Sequence, residues 1–567
     1  MKVVIVGGVA GGASAAARIR RLDEKAEIVV FERSGYVSYA NCGLPYYIGG
    51  VIEDPEDLTL QTPESFLERF CITMKVHHAV TAIHPERKTV SVKNLETLEE
   101  FEESYDKLLL SPGAKPTQPN LPGAGIDRLF TLRTVEDTFK IREFIDREHP
   151  KSVVLAGGGF IGLELAENLR ELGMKVTIVQ RLKQLMNPFD PDMAVFIHAK
   201  MREKGVNLML GYSVEGFEAT AGGVSVLLEG NPALEADMVV LAIGVTPESE
   251  LAKSAGLQLG LKGSIVVNER METSVPDIYA VGDAVQIKHS VTGLDTLLAL
   301  AGPANKQGRI AADNICGGDS RYHGGQGSSI IKVFDMTAAT TGINEQTAEK
   351  AGIACDKVYL SPANHAGYYP GAQNMVIKVV FEKGSGRILG AQIVGYAGVD
   401  KRIDVLATAI HARMTAFDLK ELDLAYAPPY SSAKDPVNMA GFLIENVLHG
   451  LLKQFFYEDV AGLPKDGSVT LLDVRTPEEF EMGHINGFSN IPVDELRQHI
   501  SELAKGKPVY VICQSGIRSY LACRILTQNG FTCYNFSGGY GFYRAQAEEV
   551  LTAQQSYPCG MEKGTSR

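Results

Sequence analysis

Short apolar runs, glycine turns and amphipathic segments alternate along the first two hundred residues of the chain. Residues 2–21 are predicted to form a strand, a glycine turn and an Ala-rich helix, and residues 27–32 a second strand. The same pattern recurs over residues 152–179, with an apolar strand leading into a second glycine cluster. Because this order of elements is that of a nucleotide-binding βαβ unit, the pattern predicts two such units.

Later patterns predict two further domains. Residues 107–113 and 239–244 are strand-to-turn segments, which we expect to cross between the two units and to split the first unit in sequence. Residues 329–447 alternate apolar and polar positions before helical segments, which indicates a separate α+β domain. A Gly- and Pro-containing stretch near residues 449–467 is predicted as a linker, after which residues 470–551 restart an α/β pattern.

Composition places bounds on this organisation. A chain of 567 residues suggests about three to four domains, and its net charge of -13 argues against a nucleic-acid or anionic-membrane partner. The eight cysteines include no Cys-x-x-Cys pair, so neither a zinc site nor a disulfide framework is suggested. A buried-strand pattern follows Met1 at once and no apolar run approaches about 18 residues, so we expect no signal peptide and a cytoplasmic location.

The first glycine turn resembles a dinucleotide-binding fingerprint. One glycine suits the tight turn and another the close packing of the helix, although Val9 replaces the middle glycine of the motif. Glu32, at the end of the next strand, is positioned to accept hydrogen bonds from a ribose. A simple tight turn without a ligand is the alternative. The candidate cofactor-binding glycines are Gly7, Gly8, Gly11 and Gly12.

The second glycine turn matches the full fingerprint between a strand and a helix. Its motif glycines are Gly157, Gly159 and Gly162. The following strand ends in Gln180 instead of an acid, and Arg181 and Lys183 come next, so a 2′-phosphate is not repelled. If these two basic side chains are merely solvated, the choice between NADH and NADPH stays open. Glu164 is expected either to form an ion pair or to lie near the nicotinamide.

A further segment, residues 278–284, places Asp283 after a strand and a glycine. Together with the two glycine turns and the α+β domain, it makes residues 1–447 resemble the flavoprotein disulfide reductases. The resemblance implies FAD on the first unit, with Asp283 facing the ribityl chain, and NAD(P)H on the second.

Cys42 lies where a loop is predicted to enter a helix, as does Cys513. Helix N-termini offer unpaired N–H groups and partial positive charge, so we expect both thiols to be reactive and to have a low pKa. The residues five positions before and after Cys42 are Val37 and Tyr47, so this segment cannot form the internal disulfide of the glutathione reductase branch.

Residues 38–47 resemble the single-cysteine branch of coenzyme A disulfide reductases, with Tyr39 where that branch commonly has Phe. The resemblance implies that Cys42 forms a mixed disulfide with coenzyme A or receives a sulfane sulfur. Ser38 and Asn41 are candidate catalytic neighbours in the same segment. The alternative is a buried structural cysteine.

Substrate contacts and a homodimer follow from the same resemblance. Arg18 and Arg21 are the candidate contacts for the phosphates of coenzyme A, although charged runs on helices are usually solvated. Tyr368 and Tyr426 match tyrosines that reach the active cysteine from the partner subunit, where a hydroxyl could protonate a leaving thiolate. Packing at the subunit interface is the alternative for both tyrosines.

The last domain carries residues 473–480, 483–485 and the Cys513 loop, and it resembles a rhodanese domain. Four residues separate Cys513 from Arg518, whereas cysteine phosphatases with a similar loop need about five to encircle a phosphate, so the loop suits a persulfide anion. Arg518 is expected to add positive charge near the sulfur and to lower its pKa. An inactive rhodanese fold used only for dimerisation is the alternative.

The predicted fold class is α/β, with two Rossmann-like domains, an α+β dimerisation domain and a C-terminal α/β rhodanese-like domain. The predicted boundaries are 1–112 and 245–325 for the FAD-binding domain, 113–244 for the NAD(P)-binding domain, 326–447 for the dimerisation domain, 448–460 for a linker, 461–551 for the rhodanese-like domain and 552–567 for a flexible tail.

The predicted function is FAD-dependent reduction of coenzyme A disulfide, persulfide or polysulfide by NAD(P)H at Cys42. The rhodanese-like domain would handle sulfane sulfur, which we hypothesise moves between Cys513 and Cys42. One alternative is an NAD(P)H oxidase in which Cys42 cycles as a sulfenic acid and the flavin reduces oxygen. A redox-sensing or scaffolding protein with a slowly reacting flavin is the other.

Overall fold

The computed structural model describes residues 1–555 of the chain, which divides into two compact units. Unit 1 contains residues 1–183 and 205–327, and unit 2 contains residues 184–204 together with the chain from residue 328 onward. The segment 184–204, which contains the helix Pro191–Glu203, therefore belongs to unit 2, whereas the sequence predicts one NAD(P)-binding domain over 113–244. None of the described helices has the length and apolar content needed to span a bilayer.

The strands and helices up to residue 171 begin the two nucleotide-binding domains. They are β1 (Lys2–Val6), α1 (Ala10–Leu22), β2 (Glu27–Phe31), α2 (Leu44–Ile48), α3 (Pro63–Phe70), β3 (Thr73–Lys75), β4 (His78–His84), β5 (Thr89–Asn94), β6 (Glu100–Ser104), β7 (Lys107–Leu110), β8 (Ala114–Pro116), β9 (Leu129–Thr131), α4 (Val135–Glu148), β10 (Ser152–Ala156) and α5 (Phe160–Glu171).

The next elements complete these domains, except for the helix over residues 191–203, which belongs to unit 2. They are β11 (Lys175–Gln180), α6 (Pro191–Glu203), β12 (Asn207–Leu210), β13 (Val214–Ala219), β14 (Val224–Leu228), β15 (Asn231–Ala236), β16 (Met238–Leu241), β17 (Val245–Pro247), α7 (Glu250–Ser254), β18 (Ile265–Val266), β19 (Ile278–Ala280), β20 (Val285–Lys288), β21 (Asp295–Thr296) and α8 (Ala301–Ile315).

Unit 1 contains two five-stranded parallel sheets, in the orders β19-β7-β1-β2-β3 and β12-β11-β10-β16-β9. The first sheet includes β19, as a domain split in sequence requires. The short antiparallel pair β8–β17 forms where the chain crosses between the two domains. Strand β1 is apolar and almost fully buried, because helices cover both faces of a parallel sheet.

The remaining elements belong to unit 2. They are β22 (Ser329–Val333), β23 (Met336–Gly342), α9 (Glu345–Lys350), β24 (Cys355–Leu360), β25 (Val376–Glu382), β26 (Ile388–Gly395), α10 (Val399–His411), α11 (Ala416–Glu421), α12 (Pro436–Leu448), β27 (Gln454–Phe455), α13 (Tyr457–Val460), β28 (Thr470–Asp473), α14 (Pro477–Glu481), β29 (Ser489–Asn490), α15 (Leu496–His499), β30 (Val509–Ile512), α16 (Ile517–Gln528), β31 (Cys533–Phe536) and α17 (Gly539–Gln555).

Unit 2 combines an antiparallel sheet, β22-β23-β26-β25-β24, with a parallel sheet, β27-β31-β30-β28-β29. The predicted linker 448–460 is wrong in part, because it contains β27, an edge strand of the parallel sheet, and α13. Phe455 of β27 is buried against the Phe536 ring, which fixes this short strand. Helix α17 extends to Gln555, so the predicted tail begins too early, and residues 556–567 lie outside the described residues.

A fully buried lysine joins α6 to the antiparallel sheet. The ammonium of Lys378 on β25 lies 2.8 Å from Asp190, 2.9 Å from Asp192 and 2.5 Å from Glu345. The Tyr359 hydroxyl also donates a hydrogen bond to Asp192. Burial alone would favour a neutral amine, but the surrounding carboxylates raise the pKa of Lys378 and keep it charged.

Replacing this lysine should destabilise unit 2. In Lys378→Met the carboxylates of Asp190 and Asp192 lose their shared cation, and removing one partner of a buried ion pair typically costs about 3–5 kcal/mol. Calorimetry of the full chain should show a lower unfolding midpoint for Lys378→Met and no change for Lys350→Met, an exposed lysine on α9. An unchanged midpoint for Lys378→Met would contradict this account of the cluster.

Candidate active site

The first glycine turn follows β1 and is too tightly packed for larger residues. Gly7 has a φ of +97°, and a Cβ at this position would lie 2.1 Å from the Ser111 carbonyl oxygen. A Cβ on Gly12 would lie 1.9 Å from the Gly7 oxygen. The Gly8 N–H donates a 2.8 Å hydrogen bond to the Glu32 carboxylate. Glu32 therefore stands beside the turn, as a ribose-binding acid in a dinucleotide site does.

The second glycine turn, between β10 and α5, repeats this construction. Gly157 has a φ of +117°, and a Cβ on Gly162 would lie 2.1 Å from the Gly157 oxygen. The Gly158 N–H donates to the Gln180 side chain at 3.3 Å. A Cβ on Gly159 would meet nothing within 4 Å, so the protein's own packing does not require a glycine there. The open space fits a ligand that approaches the backbone closely, as a pyrophosphate does.

The basic side chains beyond β11 do not decide between the two nicotinamide dinucleotides. Arg181 and Lys183 are both exposed. Their exposure agrees with phosphate binding and with simple solvation, so the preference between NADH and NADPH stays open.

Asp283 follows β19 in a short turn that begins at Gly282, whose φ is +82°. The Gly282 N–H donates a 2.7 Å hydrogen bond to the Gln307 side chain, which fixes the turn. Burial raises the pKa of the Asp283 carboxyl, and the Arg133 guanidinium opposes that shift. The turn thus offers a polar group at the carboxyl end of β19, the strand next to β7 in the first sheet, and a contact to the flavin stays a prediction.

Cys42 lies in a single 3₁₀ turn, Asn41–Gly43, immediately before α2. Ser38 starts this segment with a φ of +46°, and its N–H donates to the Gly8 oxygen at 2.9 Å. Helix α2 packs against α5 so closely that a Cβ on Gly49 would lie 2.0 Å from the Asn168 side-chain oxygen. The Cys42 turn is therefore tied to the first glycine turn at one end and to the second domain at the other.

The predicted low pKa of Cys42 is wrong for the chain by itself. The residue is exposed to solvent, but enough protein surrounds the thiol to desolvate it in part. That burial, followed by the carboxylates of Glu164 and Asp283, raises the pKa of the Cys42 thiol. Helix α2 has only five residues, so the favourable potential at its N-terminus is weak beside two nearby carboxylates. Asn41, next to the thiol, is also exposed.

Glu164 is a titratable group near Cys42 that belongs to the second domain. Burial and then the Glu167 carboxylate raise the pKa of Glu164 to about 7. Burial and these two glutamates also raise the pKa of Tyr46 to about 12. The sequence predicts either an ion pair or a position near the nicotinamide for Glu164. Among residues 1–555, Glu164 forms no ion pair. The raised pKa instead allows this carboxyl to exchange a proton near neutral pH.

The arginines of α1 have structural partners. Arg18 donates to Asp313 at 2.7 Å, and the Arg21 Nε–H donates to the Ala17 carbonyl of its own helix. Arg20, which is buried, donates to four backbone carbonyls, including those of Phe70 and Cys71. Contact between Arg18 and a coenzyme A phosphate stays a prediction, and the phosphate would have to compete with Asp313.

Tyr368 and Tyr426, which are far apart in sequence, are paired in unit 2. Their hydroxyl groups are 2.8 Å apart and form a hydrogen bond. Both rings are exposed on the single chain, Tyr368 to 76% and Tyr426 to 47%. This exposure leaves both hydroxyls accessible to another molecule, and their catalytic role stays a prediction.

The Cys513 loop connects β30 to α16, and its sulfur is fully buried. The Gly516 N–H and the Ser519 hydroxyl donate to Cys513 Sγ at 3.1 Å and 3.2 Å. The Tyr540 N–H at the start of α17 donates to the Cys513 carbonyl at 2.7 Å. Ser519 was missing from the sequence prediction, although a hydroxyl just inside the helix that follows a cysteine loop is a recognisable signal.

Arg518 does not act as an unneutralised cation at this loop. Its guanidinium donates two hydrogen bonds of 2.7 Å to the Glu479 carboxylate. These bonds hold the pKa of Glu479 below its usual value, so the pair is ionic at neutral pH. The prediction that Arg518 adds positive charge near the Cys513 sulfur or its donor stays a prediction, and the Glu479 carboxylate, which the sequence did not reveal, offsets that charge.

Cys523 and Cys533, whose use the sequence left open, are buried in the core between α16 and the parallel sheet. Cys523 shares this core with Cys513. All seven cysteines that the structure describes are free thiols.

Two dinucleotide-binding folds lie close to one thiol, Cys42, and the same chain carries a domain with a second cysteine loop. This combination is typical of oxidoreductases that bind two dinucleotides. Comparison with known proteins agrees. Residues 1–308 match the pyridine nucleotide-disulphide oxidoreductase family, residues 328–436 its dimerisation domain and residues 457–546 the rhodanese-like domain. The chain belongs to the pyridine nucleotide-disulphide oxidoreductase family. FAD and NAD(P)H, which the resemblance to the flavoprotein disulfide reductases implies, are the cofactors of this family.

Individual relatives cover most of the chain. A protein of Staphylococcus aureus (strain JH9) named coenzyme A disulfide reductase is 39% identical over 442 residues, which is 78% of this chain and 99% of the relative. The crystal structure of reduced Bacillus anthracis CoADR-RHD has 48% identity and a TM-score of 0.94, covering 97% of this chain and 98% of that one. The structure of an NAD-dependent persulfide reductase from A. fulgidus has 39% identity and a TM-score of 0.90, covering 96% and 100%.

These comparisons confirm the predicted fold class and the resemblance to both families. The chain is an oxidoreductase of the disulfide reductase type with a fused rhodanese-like domain. The individual roles of the candidate site residues remain predictions.

Removing the Glu164 charge should make Cys42 more reactive. Above pH 7 the ionised carboxylate opposes formation of the thiolate, so Glu164→Gln should lower the pKa of Cys42 and raise its alkylation rate roughly two- to fivefold at pH 7.5. The rate is measured with iodoacetamide on the flavoprotein by mass spectrometry of the Cys42 peptide. Glu171→Gln, an exposed position at the end of α5, is the control. An equal rate in all three proteins would show that Glu164 does not act on the thiol.

Proposed function

We propose that the chain reduces coenzyme A disulfide and related persulfides or polysulfides with NAD(P)H, using Cys42 as its single redox cysteine. The observation that carries this proposal is the position of Cys42, close to Glu164 of one nucleotide-binding domain and Asp283 of the other. Because the described cysteines are all free thiols, an external thiol is the natural partner for Cys42. The similarity to coenzyme A disulfide reductase and to persulfide reductase supports this substrate class.

Each cofactor has a group of residues that fits it. The first glycine turn with Glu32 and Asp283 would hold FAD, and the second turn with Gln180 would hold NAD(P)H. When bound, the flavin supplies the transfer of two electrons from the nicotinamide to sulfur.

Cys42 supplies the covalent step. Its thiolate attacks one sulfur of the substrate disulfide, so that a Cys42–coenzyme A disulfide forms, the substrate S–S bond breaks and one coenzyme A thiolate leaves. Two electrons from NAD(P)H then break the mixed disulfide and regenerate Cys42 with a second coenzyme A thiolate. With a persulfide of coenzyme A, the products are hydrogen sulfide and coenzyme A. Because the pKa of Cys42 is raised, this step requires a nearby group that accepts the proton of the Cys42 thiol.

Proton transfer would use one carboxyl group that titrates near neutral pH and two tyrosine hydroxyls. Glu164, with a pKa of about 7, can hold the proton that Cys42 gives up. Tyr368 and Tyr426 would protonate the leaving thiolate at the partner subunit's Cys42, which requires a homodimer. Their mutual hydrogen bond, the largest influence on the hydroxyl, raises the pKa of Tyr368 and keeps it protonated.

The rhodanese-like domain would handle sulfane sulfur at Cys513. We infer that Cys513 accepts this sulfur as a persulfide and that sulfur passes between Cys513 and Cys42, with coenzyme A as a candidate carrier. The two hydrogen-bond donors to Cys513 Sγ support an anionic sulfur at this position. The cytoplasmic location predicted from the sequence stays a prediction.

Two cysteine variants should separate the two chemistries. Cys42→Ser should lose NAD(P)H-dependent reduction of coenzyme A disulfide by at least about a thousandfold, because Ser cannot form the mixed disulfide. Cys513→Ser should keep that reaction but release less sulfide from persulfide donors. Cys71→Ser, which changes an exposed thiol at the end of α3, is the matched control. Nicotinamide oxidation and sulfide release are measured separately.

Three results would count against this proposal. Retained coenzyme A disulfide reduction by Cys42→Ser would remove the thiol from the mechanism. Sulfide release by Cys513→Ser that is unchanged with every persulfide donor would remove the coupling between the two sulfurs. Oxygen uptake without any sulfur substrate, at a rate comparable to disulfide reduction, would favour the oxidase.

A further inference from the structure

The charges at the mouth of the Cys513 loop cancel one another. Arg518 is held by Glu479 through two hydrogen bonds of 2.7 Å. Arg475 lies at the same edge of the parallel sheet, where it forms a buried pair with Asp473 at 2.7 Å and donates to the Gly483 carbonyl. Both guanidinium groups therefore have a carboxylate of their own, and neither offers net positive charge to a donor molecule.

Exposed apolar side chains lie on or beside the two helices that carry this ion pair. We call Met482, Ile517 and Leu521 the apolar rim; their side chains are exposed to 82%, 57% and 45%. Leu521 follows Arg518 by three positions on α16, and Met482 follows Glu479 by three positions at the end of α14. Residues three apart on a helix share a face, so the Arg518–Glu479 pair brings these two apolar side chains to the same side of the loop.

Two kinds of sulfur donor differ in what they need from this surface. Thiosulfate carries two negative charges on a small ion, and Cys513 would take its outer sulfur as the S–S bond breaks and sulfite leaves. Such an ion is bound by bidentate guanidinium contacts. A persulfide on a long thiol arm gives up its terminal sulfur in the same way and leaves as a thiol. The binding of its neutral arm is stabilised by contact with apolar surface instead.

We propose that Glu479 is a specificity-determining residue, which neutralises Arg518 so that Cys513 takes sulfur from persulfides on neutral thiol arms and discriminates against small dianionic donors. The pantetheine arm of coenzyme A persulfide is a donor of this chemistry, with its phosphates far from the reacting sulfur. The apolar rim receives the arm. This inference rests on the proposed sulfurtransferase role of Cys513.

The test compares two donors on the full-length enzyme. Glu479→Gln leaves a side-chain oxygen that can still accept the Thr476 N–H at the start of α14, now 2.9 Å from the carboxylate, but it frees Arg518. With thiosulfate and cyanide, KM should fall about tenfold with little change in kcat, the effect expected for a newly available charged hydrogen bond. With coenzyme A persulfide, kcat/KM should change less than about threefold.

Matched variants separate charge from geometry. Glu478→Gln removes a neighbouring exposed carboxylate of α14 and should leave both donors unaffected. Glu479→Asp keeps the charge on a shorter side chain and should not improve thiosulfate transfer. On the rim, Met482→Ser and Ile517→Ser should raise KM for coenzyme A persulfide and leave thiosulfate unchanged, whereas Met482→Leu should behave as the wild type. Thermal unfolding of each variant checks that the fold is retained.

Each contrary outcome has a defined meaning. An unchanged or higher KM for thiosulfate in a folded Glu479→Gln variant would overturn the role of Glu479. Equal gains for both donors would show that the variant changes Cys513 itself and not its choice of donor. If the wild-type Cys513 peptide gains no sulfur atom from either donor, the proposed sulfurtransferase function is wrong. Reduction at Cys42 is measured separately, so that result does not affect the proposed reductase function.

Discussion

The close contact between α2 and α5 is the constraint on which the proposed redox chemistry depends. Gly49 has no side chain, and a Cβ there would lie 2.0 Å from the Asn168 side-chain oxygen. Asn168 in turn donates to the Glu164 carbonyl at 2.8 Å, one turn back along α5. Because protein interiors are close-packed, a larger residue at position 49 would push α2 away. This contact brings the Cys42 turn of the first domain to the helix that begins at the second glycine turn.

The two reactive sulfurs are placed in opposite electrostatic surroundings. At Cys42 two carboxylates and partial burial oppose the thiolate, so its reactivity is tied to the protonation of neighbouring groups. At Cys513 neutral donors, the Gly516 N–H and the Ser519 hydroxyl, contact the sulfur directly, and the nearby guanidinium is already paired. The first arrangement suits a thiol that exchanges protons in each turnover, and the second suits a carrier that holds an anionic sulfur.

The features that the sequence predicted well depend on local geometry. A strand, a glycine turn and a helix are specified within about thirty residues, because only glycine tolerates the positive φ and the close helix packing of such turns. Both glycine turns, the parallel sheets and the cysteine loop of the last domain follow from patterns of this kind. The features that the sequence did not reveal involve partners distant in sequence. Glu479 lies 39 positions from Arg518, and β27 is a strand only because β31 pairs with it.

The sequence by itself determined the class of protein: two nucleotide-binding domains, a dimerisation domain, a rhodanese-like domain, and two cysteines in distinctive loops. The tertiary structure decided the raised pKa of the Cys42 thiol, the hydrogen-bond donors to Cys513 Sγ, the use of Arg18 and Arg518 in ion pairs, and the assignment of α6 to unit 2. The physical reason is how far apart in the sequence the interacting residues lie. Backbone conformation is encoded by neighbouring residues, whereas burial and charge pairing depend on which distant side chains the fold brings within a few ångströms of each other.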